Sequence, residues 1–197
     1  AEEEGMSSAA REREAEFYFT EGQKYFILED YAKALVFYQK AVELAPDNAT
    51  IHFKIADVLN RGTREEDLLR AATSIDQALR LEKKNKYFYL LAANIYNGLS
   101  RFDKAAEAYE SLINEVPGSD DFLFELGATY QFANEIEKAI KVYDKAEQSL
   151  GVNEMSAIQK TRLYLELNKI DEAKNEADKL LMLNPEEGRY AMSLAEL

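Results

Sequence analysis

Tyr96, Tyr130 and Tyr164 stand 34 residues apart, and Ala105, Ala139 and Ala173 keep the same step. Tyr25 and Leu59 share it upstream. A period in this range means one small unit stacked on copies of itself, because such a unit cannot bury its apolar side alone. That constrains the fold before any local reading. It also limits the functional reading, since stacked units make a surface and a surface points to binding without naming the partner.

The unit can be written out. Its first copy has the frame Gly22, Tyr25, Ala34, Tyr38, Ala41, Pro46. The third gives Ala93, Tyr96, Ala105, Tyr109, Leu112, Pro117, and the fourth Gly127, Tyr130, Ala139, Tyr143, Ala146, with Gly151 where proline would fall. Each copy carries two runs of helical period: Tyr18, Gly22 and Tyr25 on one face, Ala34, Tyr38 and Ala41 on another. The link Leu28-Glu29-Asp30 is short, so the two helices run antiparallel as neighbours. Gly22 is expected to face Ala34 and bring the backbones together, with tyrosines filling the space on either side. Pro46, Pro117 and Pro185 end second helices, since each lacks the N–H a continuing turn needs. Asn48, Ser119 and Asn153 then fall at N-cap positions. Asp103, Glu137 and Asp171 place negative charge in first turns, which the helix dipole favours.

This frame resembles the tetratricopeptide repeat, over about residues 15–187. The resemblance implies an all-α solenoid of antiparallel helix pairs forming a right-handed superhelix, with about eleven helices. The repeats fall at 15–48, 49–85, 86–119, 120–153 and 154–187. Residues 1–14 are a flexible leader or an extension of the first helix, capped by Ser7 or Ser8. Residues 188–197 read as the first helix of a sixth repeat or a capping helix, ending on apolar Leu194 and Leu197. They make the chain read as a piece of a longer array.

Two copies depart from the frame. The second has its alanine late, at Ala71, so three extra residues lie within 61–67, and Lys83-Lys84-Asn85 replaces its closing proline. In the fifth (Thr161, Tyr164, Ala173, Ala177, Leu180, Pro185), Ala157 and Lys160 stand where bulky apolar residues belong. Looser packing is expected there.

Composition bears on function mainly by exclusion. There is no cysteine, which removes disulfides, thiolate metal sites and thiol catalysis. A net charge of −13 argues against nucleic acid, whose phosphates are bound by clustered Lys and Arg. The run Lys83-Lys84-Asn85-Lys86 reads as a solvated turn, and an acidic surface instead favours basic partners. The longest uncharged stretch, Tyr87 to Ser100, is too short and polar to span a bilayer. Glu65-Glu66-Asp67 and Asp120-Asp121 read as solvated helix starts, because no calcium-loop pattern surrounds either. His52, the single histidine, falls at a packing position. No nucleophile–base pair and no glycine-rich phosphate loop is visible, so neither an enzyme nor a cofactor is expected. The compartment stays open: soluble, cytoplasmic or exported to an envelope compartment.

Resemblance to the family implies that first helices line the concave side, where peptides lie. The candidate peptide-binding residues are Phe19, Gln23, Phe26, Phe53, Asp57, Asn60, Tyr87, Leu90, Asn94, Asn97, Phe124, Gln131 and Phe132. Glu16, Ile27, Thr50, Arg61 and Asp121 share that face, as do Met155, Ile158, Arg162 and Leu165 of the last copy. The aromatic stripe would anchor an apolar or amphipathic segment at about 1.5–3 kcal/mol per buried side chain. The amides can bond a peptide backbone, since each both donates and accepts. Some family members clamp the carboxylate end of a chaperone tail with lysines and asparagines. The matching positions here are Phe19, Gln23, Asp57, Leu90 and Asn94, which lack the cations. The expected function is therefore a protein-binding scaffold for an apolar or basic segment. The alternative is a structural module whose groove is filled by its own chain or a second copy, with a homodimer through the C-terminal helix.

Overall fold

The computed structural model describes residues 6–186. They hold ten α-helices: α1 (Ser8–Ile27), α2 (Tyr31–Leu44), α3 (Ala49–Asn60), α4 (Glu65–Leu81), α5 (Lys86–Gly98), α6 (Phe102–Glu115), α7 (Leu123–Phe132), α8 (Ile136–Leu150), α9 (Glu154–Glu166) and α10 (Ile170–Leu183). A 3-10 turn, Asp120–Phe122, precedes α7. The chain divides into two compact units, one up to Ala108 and one from Tyr109. The first unit packs α1 on α2 and α3 on α4, with α2 against α3 and α4 against α5. In the second, α7 packs on α8 and α9 on α10, with α8 against α9. The architecture is that of a tetratricopeptide solenoid. Among the described residues no helix is long and apolar enough to cross a membrane. The leading residues 1–5 and the expected sixth-copy helix, with the dimer contact assigned to it, lie outside the described residues.

The fixed spacing between the tyrosine and the alanine is the length of one hairpin turn. The Tyr25, Tyr96, Tyr130 and Tyr164 carbonyls each accept from the N–H five residues on, at 3.0, 2.8, 2.8 and 2.8 Å. The residue just before each donor, Glu29, Ser100, Asn134 or Asn168, is left-handed, with φ of 59°, 55°, 58° and 57°. This closes each first helix with a Schellman motif. The donor residue then opens the second helix: its carbonyl accepts from Ala34, Ala105, Ala139 or Ala173, each at 3.0 Å. The α3–α4 junction differs. Gly62 N–H bonds back to the Leu59 carbonyl at 3.1 Å, and Arg64 reaches Asp67 at 2.8 Å before α4 begins.

Side chains cap several helix starts, and one expected cap fails. Ser7, Asn48, Asn85 and Asn153 accept from backbone N–H groups of α1, α3, α5 and α9. Ser119 is buried but makes no capping bond, and the 3-10 turn does the work of entry instead. Helices α2, α6 and α10 each stop two residues before a proline.

Two packing expectations need correction. A Cβ on Gly22 would meet the Tyr38 ring at 2.6 Å, and one on Gly127 the Tyr143 ring at 2.7 Å. Glycine is thus required by the buried ring of a second-helix tyrosine, which a Cβ would meet first. The fifth copy is not loose either. Lys160 is completely buried, and its Nζ bonds to Asp144 at 2.9 Å, Glu147 at 2.8 Å and Glu176 at 3.1 Å. A cation fills the place of a bulky apolar side chain because three carboxylates surround it.

Candidate functional site

In the first unit the candidate residues come from α1, α3 and α5. Phe19 is half-buried, its ring 5.7 Å from that of Tyr38. Gln23 accepts a bond from the Tyr38 hydroxyl. Burial, and then the charge of Asp57, raise that phenol above its ordinary pKa, so it remains a donor. Beside Phe19 an open cleft of about 370 Å³ has Ala15, Ala45 and Ile51 as apolar wall and Glu12 and Glu16 as acidic rim. Such a cleft accepts an apolar side chain with a cation next to it.

Phe26 lies under cations: Lys54 Nζ is 5.0 Å and Arg61 5.5 Å from its ring. Arg61 also pairs with Asp57 at 3.4 Å. Phe53 stacks on Phe88 with ring centres 5.0 Å apart, so one of its faces joins α3 to α5. That ring serves packing as well as surface.

Amides form the polar part. Asn60 Nδ2 donates to Asn94 Oδ1 at 2.8 Å, linking α3 to α5. Asn97 Oδ1, one turn along α5, is buried and has no hydrogen-bond partner among the described residues. A buried acceptor without a donor costs about 1–3 kcal/mol. Tyr87 is 61% exposed beneath Lys86, and Leu90 is half-buried.

The second unit carries its own share. Gln131 donates to Gln159 at 3.2 Å and accepts from the Tyr143 hydroxyl at 3.4 Å. Burial, with the charge of Glu125, pushes the Tyr143 phenol up to about 12. Phe124 is half-buried and Phe132 is 72% exposed.

Sequence reasoning missed Lys54, Glu12 and Gln159. Lys54 sits next to Phe53, and that adjacency was the available signal. His52 donates from Nε2 to the Pro46 carbonyl at 2.7 Å and ties α3 to the end of α2, a structural part. Asp67, in the acidic run that opens α4, is held by Arg64 and Arg70. Among the described residues no group of His, Asp or Glu is arranged to hold a metal ion.

Comparison with known proteins bears on the fold and the family. The tetratricopeptide repeat family model matches residues 63–120 and 90–151, and a second TPR repeat model matches 22–61. A curated relative is human serine/threonine-protein phosphatase 5, 30% identical over 142 residues, which are 68% of this chain. The chain spans about a quarter (25%) of that relative's length. Similar solved structures include the MamA protein, with a TM-score of 0.68 at 20% identity, covering 89% of this chain and 94% of that one. YrrB, described as a TPR protein with an unusual peptide-binding site, has a TM-score of 0.65 at 17% identity and 91% coverage of both chains. These two likenesses concern the fold.

Proposed function

We propose that this chain, which belongs to the tetratricopeptide repeat family, binds an apolar or amphipathic segment of another protein on its first-helix face. In this reading the chain holds five repeats with the boundaries given above, and the first unit carries the principal anchors. The observation that supports it most is the amide run on α3 and α5, where Asn60 and Asn94 are bonded across neighbouring helices and Asn97 follows one turn along. Side-chain amides in a row suit a peptide backbone, which offers a donor and an acceptor at every residue. The cleft beside Phe19 takes an apolar side chain, and its Glu12 and Glu16 rim favours a neighbouring lysine or arginine. Phe124, Gln131 and Phe132 extend the same chemistry within the second unit.

Magnitudes fit a modest affinity. Three or four buried anchors at about 1.5–3 kcal/mol each, with the amide bonds added and the cost of ordering the segment taken off, reach roughly micromolar binding at best. That YrrB is described as having a peptide-binding site is consistent with this use of the fold.

A displayed library of random sixteen-residue peptides tests the reading. Enriched peptides are expected to pair apolar with basic residues. They should bind Asn60→Ala/Asn94→Ala at least tenfold more weakly, with the variant's melting unchanged. Failure to enrich any peptide, or enrichment of peptides indifferent to that double substitution, overturns it.

A further inference from the structure

A second cleft in the first unit has a chemistry opposite to the chain's overall charge. It lies between α2 and α4 above α3, has a volume of about 480 Å³, and is floored by Val42, Ile55 and Leu59. Arg70 and Arg80 of α4 stand on its wall. Arg70 lies 3.7 Å from Asp67, whereas Arg80 has no ion-pair partner among the described residues. On α3 the floor residues Ile55 and Leu59 sit roughly two-fifths of a turn away from Phe53, Asp57 and Asn60, at about 3.6 residues per turn. The cleft is therefore distinct from the amide-lined face.

The place in the repeat recurs, but the charges do not. In the second unit a cleft of about 360 Å³ is lined by Ile113, Leu126, Lys141 and Lys145, with Glu110 beside them. Ile113 and Leu126 correspond to Val42 and Ile55, whereas the two lysines correspond to Thr73 and Gln77, so the Arg70 and Arg80 pair belongs to the first cleft. At physiological salt, charges farther than about 8 Å are screened. A carboxylate in the first cleft consequently answers to Arg80, unpaired among the described residues, and to Arg70, which it shares with Asp67, more than to the net −13.

We propose that the cleft between α2 and α4 is a separate docking site for an acidic segment of a partner protein. An aliphatic side chain of that segment rests on Val42, Ile55 and Leu59, and flanking carboxylates meet Arg70 and Arg80. Ten residues of helix put the two arginine Cα atoms about 15 Å apart. An extended chain covers that distance in roughly four or five residue steps, so the segment has the form acid, about three or four residues including an aliphatic one, acid.

The probe is a fluorescein-labelled peptide, Ser-Glu-Gly-Leu-Gly-Glu-Ser, titrated against the full chain in fluorescence anisotropy. Saturable binding is expected, weakening as salt rises. It should fall at least tenfold when both glutamates of the peptide become glutamine, and equally with Arg70→Gln/Arg80→Gln. Arg80→Gln alone leaves the Asp67 pair intact and should still lose at least threefold, while Asn60→Ala/Asn94→Ala should change nothing. Absence of saturable binding, or indifference to both arginine variants, overturns the proposal. So does concentration-dependent dimerisation abolished by the arginine variants without peptide binding, which would assign the cleft to a second copy of this chain.

Discussion

Adding one methyl group at Gly22 puts a Cβ 2.6 Å from the Tyr38 ring, and at Gly127 one 2.7 Å from the Tyr143 ring. Those distances are shorter than side chains tolerate, and both rings are too enclosed to move aside. Gly22→Ala and Gly127→Ala should each destabilise by about 1–3 kcal/mol, the usual cost of overpacking. Urea denaturation checks this. The left-handed turn residues make the opposite prediction. Glu29 and Ser100 hold φ of 59° and 55°, a region that costs a side chain about 1–2 kcal/mol. Glu29→Gly and Ser100→Gly should each stabilise by roughly 0.5–1 kcal/mol after the extra unfolded entropy of glycine. Asn134→Gly should gain less, because asparagine tolerates that region. Thermal melts of the three variants rank them. At this scale the sequence showed that a small residue was required but not what required it. A glycine's neighbour lies on another helix, and periodicity within a helix does not encode it.

Helices α8, α9 and α10 meet around one buried cation, and the sequence pattern read that cation as a defect. Lys160 Nζ is held by Asp144 and Glu147 of α8 and Glu176 of α10, while Lys179 closes the ring at 3.3 Å from Glu147 and 3.0 Å from Glu176. Ser156 donates to Glu147 at 2.7 Å. Burial pushes the Glu147 carboxyl up, but the bonds from Lys160 and Ser156 and the charges of Lys160 and Lys179 outweigh it and hold the group below 4.5. Burial likewise pulls Lys160 down, and its bonds to Glu147, Asp144 and Glu176 more than offset this, so it stays charged beyond its ordinary 10.5. Lys160→Met should cost about 3–5 kcal/mol, because it leaves carboxylates buried and under-compensated. Lys160→Met with Glu147→Gln and Glu176→Gln should recover much of that loss. The sign of the pH effect follows from the two directions. The Glu147 contribution is complete above pH 4.5 and disappears as the pH falls through its lower folded value, while the Lys160 contribution is complete below pH 10.5. The stability of α9 and α10, read as amide protection after division by the pH-dependent intrinsic exchange rate, should therefore fall in acid, below pH 4.5, and stay flat between those limits. Caps, proline stops and the recurrent hairpin turn were legible in the residues because each is local. The cluster was not, because its members lie 13 and 16 residues from Lys160 and meet only through packing.

For the molecule as a whole, the repeat period carried the fold and the family but not the function. Stacking follows from spacing, whereas a binding face depends on which side chains remain uncommitted once the helices have packed. Phe53 illustrates the difference: its position on α3 marked it as surface, and its stack on Phe88 makes it partly internal. Asn60 and Asn94, 34 residues apart, were legible as a pair only once the stack set α3 beside α5. The central claim is that the α1, α3 and α5 face receives a peptide. Backbone amide NMR shifts of the labelled chain, recorded while a library-selected peptide is added, test it most directly. The account predicts shifts concentrated at Phe19, Gln23, Asn60, Asn94 and Asn97. Shifts confined to α2 and α4, or scattered without saturation, would contradict it.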